Sequence, residues 1–486
     1  MPLAPAAGGP SPHTRRPAPA AQEQASASIS AFDLIELQIA YTTLLAVYYR
    51  PLSPRTLVDG ARTGIGAELL AHGVRDVALP YTPTRVDRGR GSDLIDGLVL
   101  RSLARAGMRL DGHRLVAAAV AGELAALHDP YTVAFRPQQF GRFNAFLGNE
   151  TFGGIGAVVS YDAPSGRARI ERVLPDGPAL AAGLRDGDAV VAIDGRSVAD
   201  IGGARLRDAL RGRIGSTVRL EVARGDERRS LTVVRAKLRD PEVRSALLGE
   251  AGYLALSRFG DRAGAELAAA LADLRRRGAT AFVLDLRGNG GGYGDEATAV
   301  AALFLAGPVF VTRDRSGTPK VARATMAAPF PERLAVLVDG DTASAAEIVA
   351  GALQDAGKAT IVGQRTFGKG LVQSIFPLPD GSALKITTAR YTTPKGRDID
   401  RVGIVPDVAV PGRPGAGRGD PASDAQLAAA LAAVHAAPAA ASSAAPEPPP
   451  VSPMPATMPS ASPSPAAAVL PSVWYTRGSW TASFRR

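Results

Sequence analysis

A serine stands where a predicted buried strand gives way to a predicted helix. The strand covers residues 334–338, the helix covers residues 345–354, and the connection reads Asp-Gly-Asp-Thr-Ala-Ser up to Ser344. Two interpretations are open. Ser344 with Glu347 three residues later matches a capping box, which satisfies free N–H groups at a helix start. Alternatively, the hydroxyl projects beside unpaired backbone donors, which together with the helix dipole can stabilise an oxyanion.

A lysine between two glycines is unusual in this chain, because only six of its 56 basic residues are lysine. Lys369 lies in the segment Thr-Phe-Gly-Lys-Gly, and a lysine in apolar surroundings can lose its proton whereas an arginine in effect cannot. A neutral amine there can accept the proton of a serine hydroxyl, and Gln373 can orient it, although Gln373 also fits an ordinary polar strand position. A phosphate loop is disfavoured, since Gly370 stands where Ser or Thr is required.

A third motif is a predicted strand, residues 282–286, that runs into the loop Arg-Gly-Asn-Gly-Gly-Gly ending at Gly292. Glycines let the backbone approach a ligand closely and can aim consecutive N–H groups at it. The dinucleotide fingerprint G-x-G-x-x-G is not met, because no helix opens in register. A loop that supplies oxyanion donors is the favoured functional interpretation, and a flexible turn is the alternative.

The sequence pattern changes at Phe152, where short β-like runs are separated by Gly and Asp-Gly turns. A Gly-Gly-Ile-Gly loop precedes the first long run. Its backbone N–H groups can capture a terminal carboxylate while the bound peptide adds to the sheet as an extra strand. The candidate peptide-binding residues are Gly154, Ile155, Gly156 and Ala157.

Composition argues against several other kinds of site. The chain has no cysteine, which excludes disulfides, thiolate metal sites and a cysteine nucleophile. Its five histidines do not occur at metal-ligand spacing, so we expect no Ser-His-Asp triad, no metal and no cofactor. The net charge of +10 is spread without a long basic block, which disfavours nucleic-acid binding. No stretch reaches about 18 apolar residues, so no membrane-spanning helix is expected.

The chain divides into five predicted segments. Residues 1–30 and 413–486 are rich in Ala, Pro and Ser and are predicted to be disordered, low-complexity tails. Residues 31–150 show helical periodicity and predict a packing or dimerisation module. Residues 152–238 are β-rich, and residues 245–412 alternate strands and helices, which is typical of an α/β layer fold.

Taken together, these motifs resemble the C-terminal processing, or tail-specific, proteases of serine peptidase family S41 over residues 31–412. Residues 154–234 look like the family's PDZ domain, the Thr-Ala-Ser-Ala-Ala-Glu segment like its nucleophile motif, and the Gly-Lys-Gly segment like its lysine motif. The resemblance implies an α+β multidomain architecture. Its parts are an N-terminal helical module, a PDZ domain resembling a β-sandwich, an α/β protease core of the ClpP/crotonase type and disordered tails.

The resemblance also implies a role for each candidate site residue. The expected roles are nucleophile for Ser344, general base for Lys369, orientation of the lysine for Gln373, and oxyanion donors for the backbone N–H groups of Gly291 and Ala345. No cofactor accompanies them.

Three further positions enter through the resemblance. Arg211 is similar to a PDZ residue proposed to couple peptide binding to the catalytic site. The segment Asp-Pro-Tyr-Thr ending at Thr132 matches the family's lead-in to the PDZ domain, with threonine where serine is common. Gly290 replaces a frequent proline, which predicts a more flexible loop.

The implied function is that of a serine endopeptidase that recognises proteins by an apolar C-terminal tail and is gated by its PDZ domain. The alternative is a non-catalytic PDZ scaffold with a vestigial protease domain, which the intact Ser, Lys and Gln disfavour. A crotonase-type acyl-CoA enzyme shares the glycine loop but is not expected to carry a PDZ domain.

We expect protein or peptide partners and a homodimer through the N-terminal helices. The resemblance implies export to the periplasm or cell envelope, although the first thirty residues lack the apolar segment of a signal peptide.

Overall fold

The computed structural model describes residues 29–75, 79–107, 110–147, 152–162, 165–174, 177–238, 241–325, 330–412, 419 and 421–435. These fall into two compact units. Among the described residues, the first comprises 29–45 and 52–129, and the second comprises 46–51 and 130–435. The predicted disordered tails lie mostly outside the described residues, which begin at 29 and end at 435.

The first unit is helical, as its periodicity predicts. Its helices are α1 (Ala31–Val47), α2 (Pro54–Ala71), α3 (Arg88–Ala106) and α4 (Gly112–Ala125). Helices α2 and α4 approach closely where small residues face each other: a Cβ built on Gly122 would lie 2.2 Å from the carbonyl oxygen of Gly60. No helix in the described part of the chain is both long enough and apolar enough to cross a membrane.

The helical module ends earlier than the predicted boundary at residue 150. Strand β1 (Val133–Phe135) and helix α5 (Pro137–Leu147) belong to the second unit, where β1 pairs antiparallel with residues 383–385. Phe135 and Phe140 pack with Ile375 of the same unit. The helical period continues through α5, so periodicity alone could not reveal that this helix packs on a different core.

The PDZ segment forms the predicted β-rich domain around a core of its own. Its elements are β2 (Phe152–Gly154), β3 (Ala157–Asp162), β4 (Arg167–Val173), α6 (Pro178–Ala181), β5 (Ala189–Ile193), β6 (Arg196–Ser197), α7 (Val198–Ile201), α8 (Gly203–Leu210), β7 (Thr217–Arg224), β8 (Glu227–Val234) and β9 (Ala236–Leu238). The main sheet has the order β3-β4-β5-β7-β8, so β3 is an edge strand. Strands β2 and β9 pair with each other, which places the two ends of the domain side by side.

The described residues from 243 to 435, here called the protease segment, form an α/β layer structure, as the alternation of strands and helices predicts. Its elements are β10 (Val243–Leu248), β11 (Ala251–Leu256), α9 (Ala263–Arg276), β12 (Ala281–Asp285), α10 (Gly294–Ala301), β13 (Gly307–Asp314), β14 (Pro319–Ala324), β15 (Arg333–Val338), α11 (Ala345–Asp355), β16 (Thr360–Gly363), β17 (Leu371–Pro377), β18 (Ala383–Thr392), β19 (Val408–Ala409) and α12 (Ala425–His435). The central sheet has the order β10-β11-β12-β15-β16-β19 and is parallel from β11 onward.

Both faces of the central sheet are covered, which explains its continuous apolar strands. Along β12, Phe282 and Leu284 pack with the cluster that contains helices α9–α11, whereas Ala281 and Val283 pack with α12 on the other face. Helix α12 lies inside the segment 413–486 that we predicted as a disordered tail, so for residues 425–435 that prediction is wrong. Its apolar residues include Leu427, Ala430 and Val434 at helical spacing, a pattern hidden by the alanine-rich composition.

A second sheet contains β1 and the strands of the protease segment that are outside the central sheet. It has the order β1-β18-β13-β14, and β17 pairs with β18. Strand β17 therefore places Gln373 opposite Thr387 of β18, next to an irregularity in the register between Val372 and Gln373. The structure confirms the predicted α+β multidomain architecture: a helical module, a β-rich domain and an α/β layer core.

Candidate active site

Ser344 lies at the turn between β15 and α11 in a conformation that few non-glycine residues adopt. Its φ is +56° and its ψ is −116°, whereas an ordinary N-cap residue has β-region angles. Strain of this kind persists only where the surroundings enforce it, and it clusters at functional sites. The structure contains the predicted capping box, in which the Glu347 carboxylate accepts the Ser344 N–H. Capping alone does not account for the left-handed φ, and the turn presents the residue at the tip of a sharp strand-to-helix connection.

The Glu347 carboxylate joins this turn to the lysine segment. It is fully buried and accepts four hydrogen bonds. Its Oε2 accepts from the backbone N–H groups of Ser344 and Lys369, both at 2.9 Å. Its Oε1 accepts from the Thr366 hydroxyl at 2.5 Å and the Gly368 N–H at 2.7 Å. The backbones of the two predicted catalytic residues are thus held by one carboxylate.

The Tyr391 hydroxyl makes a second connection between the same two residues. It lies 2.6 Å from the carbonyl oxygen of Lys369 and 3.2 Å from that of Ser344. Burial raises the pKa of Tyr391 well above its usual value, and the nearby Glu347 carboxylate acts in the same direction. The phenol therefore stays protonated and remains a donor. Glu347 on the N–H side and Tyr391 on the carbonyl side fix the spacing of the two segments.

The Lys369 side chain is half-buried and contacts an aromatic ring. Its Nζ lies 5.2 Å from the centroid of the Tyr131 ring, within the range of a cation–π interaction. Tyr131 belongs to the segment that resembles the family's lead-in to the PDZ domain. The ring attracts the protonated amine and so limits where the lysine head can lie.

Gln373 is buried on β17 and belongs to a chain of polar side chains. Its Nε2 lies 3.5 Å from Oγ1 of Thr387, at the long end of hydrogen-bond distances. The Thr132 hydroxyl donates to the same Oγ1 at 3.2 Å and accepts the Thr387 N–H at 3.0 Å. Thr132 therefore helps to place Gln373 through Thr387.

The glycine loop, residues 288–292, packs directly on the turn that contains Ser344. Oδ1 of Asp339 accepts the Gly288 N–H at 2.9 Å, and the Asn289 carbonyl accepts the Ala343 N–H at 2.9 Å. Gly291 has a φ of +98°, and a Cβ built on it would lie 2.8 Å from the Cβ of Ser344. A side chain at 291 would therefore displace the loop from the serine.

The two predicted oxyanion donors differ in their present partners. Ala345 N–H is the first of α11 and donates to no acceptor in the described ranges, as expected at a helix start. Gly291 N–H donates to Oδ1 of Asn289 at 2.9 Å. The Gly291 donor is therefore engaged by a side chain of its own loop, whereas the Ala345 donor is available.

All five predicted catalytic and oxyanion residues line one cavity of about 400 Å³. Its apolar wall consists of Phe143, Leu147, Phe310, Ile348, Leu371 and Val372. Lys385, another of the six lysines, also lines it. Among the described residues that line the cavity, none comes from 152–238. The candidate catalytic groups therefore all lie within residues 245–412, and α5 contributes only apolar residues to the wall.

The predicted peptide-binding loop lies at the start of the edge strand β3. The carbonyls of Ile155 and Gly156 accept the N–H groups of Ala179 and Leu174, while the N–H groups of Ile155 and Gly156 donate to no acceptor within the described chain. Gly156 has a φ of +75°. N–H groups that have no acceptor among the described residues, next to the edge strand β3, suit the capture of a terminal carboxylate and a β-strand addition.

Arg211 follows α8 and is half-buried, and it is not among the residues that line the cavity.

Sequence reasoning missed Arg235, whose buried guanidinium donates to the carbonyls of Leu210, Ala209 and Thr217 at 2.7–3.1 Å. Arg235 therefore satisfies the carbonyls at the end of α8.

A buried carboxylate lies behind the Ser257–Arg258 wall of the cavity. The Glu242 carbonyl accepts from Ser257, and neither Glu242 carboxylate oxygen has a hydrogen-bond partner within the described chain. Burial raises the pKa of Glu242 to about 7; Arg258 lowers it, and Glu266, Asp261 and Glu296 raise it further. The folded protein thus holds this proton more tightly than the unfolded chain does.

We expect Glu242→Gln to stabilise the protein at pH 8 by about 1–3 kcal/mol. Because the pKa of Glu242 is raised in the folded state, the protein loses stability progressively as pH rises from the ordinary glutamate pKa of 4.5 to about 7, and the variant escapes this loss. Calorimetric melts across this pH range test it, with the exposed Glu250→Gln as control. A constant difference between wild type and variant from pH 4 to pH 8 would contradict the assignment.

The sequence matches two family profiles and several relatives. The profile of Peptidase family S41 matches residues 250–410, and the profile of the PDZ domain matches residues 153–234. A carboxyl-terminal-processing protease of Picosynechococcus sp. is 39% identical over 303 residues, covering 61% of this chain and 73% of that protein. One from Synechocystis sp. is 37% identical over 299 residues, covering 59% and 69%.

Among solved structures, a photosystem II D1 C-terminal processing protease is 26% identical and covers 79% of this chain and 94% of that one, with a TM-score of 0.41. The region matched by the S41 profile contains the turn at Ser344, the lysine segment and the glycine loop. On the identity and coverage of its relatives, this chain belongs to the carboxyl-terminal-processing proteases of peptidase family S41, with a PDZ domain ahead of the protease core.

Proposed function

We propose that this protein is a serine endopeptidase in which Ser344 attacks the peptide carbonyl and Lys369 accepts the hydroxyl proton. The observation that carries the proposal is that both side chains line one cavity while Glu347 and Tyr391 hold their backbones together. A lysine can serve as base only when neutral, so activity should rise with pH as the amine loses its proton. Gln373 lines the same cavity and is proposed to orient the amine.

The tetrahedral oxyanion is proposed to bind the N–H groups of Ala345 and Gly291. Ala345 supplies a donor at the positive end of α11. Gly291 must exchange the Asn289 side-chain oxygen for the substrate oxygen, since its N–H donates to Asn289 in this structure. An acyl-enzyme on Ser344 then forms, and water releases the product.

The PDZ domain is proposed to select substrates by an apolar C-terminal tail. The loop of Gly154, Ile155, Gly156 and Ala157 would bind the carboxylate, and the tail would pair with the edge of β3. Gating of the cavity by tail binding, with Arg211 in the coupling, is part of the proposal, as is a homodimer through the N-terminal helices. Sedimentation of the purified protein tests the dimer.

The function is tested by covalent labelling together with turnover. We expect a fluorophosphonate to label wild-type protein at Ser344, as mapped by mass spectrometry, and a peptide with an apolar C-terminal tail to be cleaved. The alternative, a PDZ scaffold with a vestigial protease segment, predicts tail binding without labelling or cleavage. Binding alone would therefore reject the endopeptidase and favour the scaffold.

Glu347→Gln is expected to destabilise the protein by about 2–4 kcal/mol, because it replaces one of the two oxygens that together accept four hydrogen bonds with an NH2 group that cannot accept them. Since the substitution loosens the Ser344–Lys369 spacing, cleavage should also fall by about 10- to 100-fold at temperatures where the variant is folded. Glu332→Gln, which removes an ion pair with Arg275, is the control. Full activity of folded Glu347→Gln would contradict the role of this carboxylate.

A further inference from the structure

A buried polar cluster lies where the glycine loop leaves the central sheet. Arg287 directly precedes this loop, and its side chain is only 4% exposed. Two carboxylates of similar burial flank the guanidinium: Asp285 from the end of β12, and Asp424 from the residue before α12. The Tyr253 hydroxyl donates to Asp285 at 2.7 Å.

The guanidinium has five N–H donors, and each of its three nitrogens donates at least one hydrogen bond. Nε and Nη2 donate to Asp285 at 2.6–3.1 Å. Nη2 and Nη1 donate to the Asp424 carboxylate at 2.7 and 2.9 Å, and Nη1 also donates to Oε1 of Gln426 at 3.0 Å. Three of these bonds come from a segment 137–139 residues away in sequence.

Asp424 also organises the start of α12. Its Oδ1 accepts the Leu427 N–H at 3.1 Å, so the carboxylate that binds Arg287 also caps the helix. Leu427 packs against the central sheet. The helix is thereby locked to the sheet by apolar contacts and to Arg287 by charge.

We propose that Asp424 and Gln426 are positioning residues for the glycine loop, so that α12 belongs to the catalytic apparatus although it follows the region matched by the S41 profile. The inference rests on the proposed function. Arg287 leaves its place if its buried donors lose their acceptors, since unpaired buried groups are costly. The loop that begins at the next residue touches Ser344 at Gly291, so a shift at Arg287 reaches the oxyanion donors.

The test compares Asp424→Asn with Asp355→Asn. Asp355 is a carboxylate of similar burial at the far end of α11 that pairs with the more exposed Arg397, so its substitution removes an ion pair of a buried carboxylate away from the loop. For Asp424→Asn we expect kcat on a tailed peptide to fall about 10- to 100-fold with little change in KM. Affinity for a peptide boronate, which forms a tetrahedral adduct, should fall in parallel, whereas Asp355→Asn should keep wild-type kcat.

A second readout does not depend on turnover. Hydrogen exchange of peptides that cover the glycine loop should accelerate in Asp424→Asn and remain unchanged in Asp355→Asn. Gln426→Met removes one acceptor of Arg287 and the amide donor to the Val410 carbonyl. It should give a smaller effect of the same sign, and it keeps the inference testable if Asp424→Asn does not fold. Inactive wild type with accelerated exchange in the variant would reject the endopeptidase and keep the positioning role. Unchanged exchange together with unchanged kcat would overturn the inference.

Discussion

Replacing Ser344 with alanine is expected to reduce peptide cleavage by at least about 10⁴-fold while the affinity for a tailed peptide stays within about twofold. The substitution removes the only atom proposed to bond to the substrate carbonyl. It leaves the cavity walls, the glycine loop and the PDZ loop in place. Cleavage is measured on a peptide with an apolar tail, and affinity by calorimetric titration of the same peptide.

The backbone strain at position 344 sharpens this experiment. Because φ is +56°, Ser344→Gly should relieve strain and keep the turn, yet be as inactive as Ser344→Ala. Both variants should also lose labelling by a fluorophosphonate. Residual cleavage above about 1% of wild type in both variants would mean that another residue is the nucleophile.

Lys369→Arg is expected to lower cleavage by about 10³-fold or more, although it keeps the positive charge. Arginine preserves the interaction with the Tyr131 ring and cannot release a proton at accessible pH, so it separates charge from base function. The measurement is the pH profile of kcat/KM from pH 5 to pH 10. Wild type should gain activity as pH rises, and the variant should show a low, flat profile.

The exposed Lys358→Arg is the matched control, because it makes the same substitution in the same unit away from the cavity. It should retain wild-type activity and pH dependence. A Lys369→Arg variant with activity near that of wild type would show that position 369 needs only a cation. Lys369 would then be an electrostatic residue and not the base.

The candidate chemistry could be predicted from sequence because it rests on unusual residues. A serine at a strand end and a lysine in an arginine-dominated chain stand out locally, and the structure brings both to one cavity. Their roles as nucleophile and base stay predictions. The residues that position them do not stand out: Tyr391 is one tyrosine among ten, and its role depends on contacts with Ser344 and Lys369 that are distant in sequence.

The same reasoning explains the errors at the domain boundaries. The strands of the central sheet were predictable because burial on both faces makes them continuously apolar. Helix α12 was not, because alanine is both a good helix former and the commonest residue of the neighbouring low-complexity sequence. Glu347 was recognised only as a capping residue, since a capping pattern contains no information about the lysine segment it also binds.

The paired strands β2 and β9 have a consequence for the history of this architecture. Chain entry and exit are adjacent there, so residues 152–238 could be exchanged for another recognition module of any size without altering the separation of the flanking ends. The described cavity takes no wall from that module. A single recombination event that replaces this module could thus give the same protease core new protein substrates.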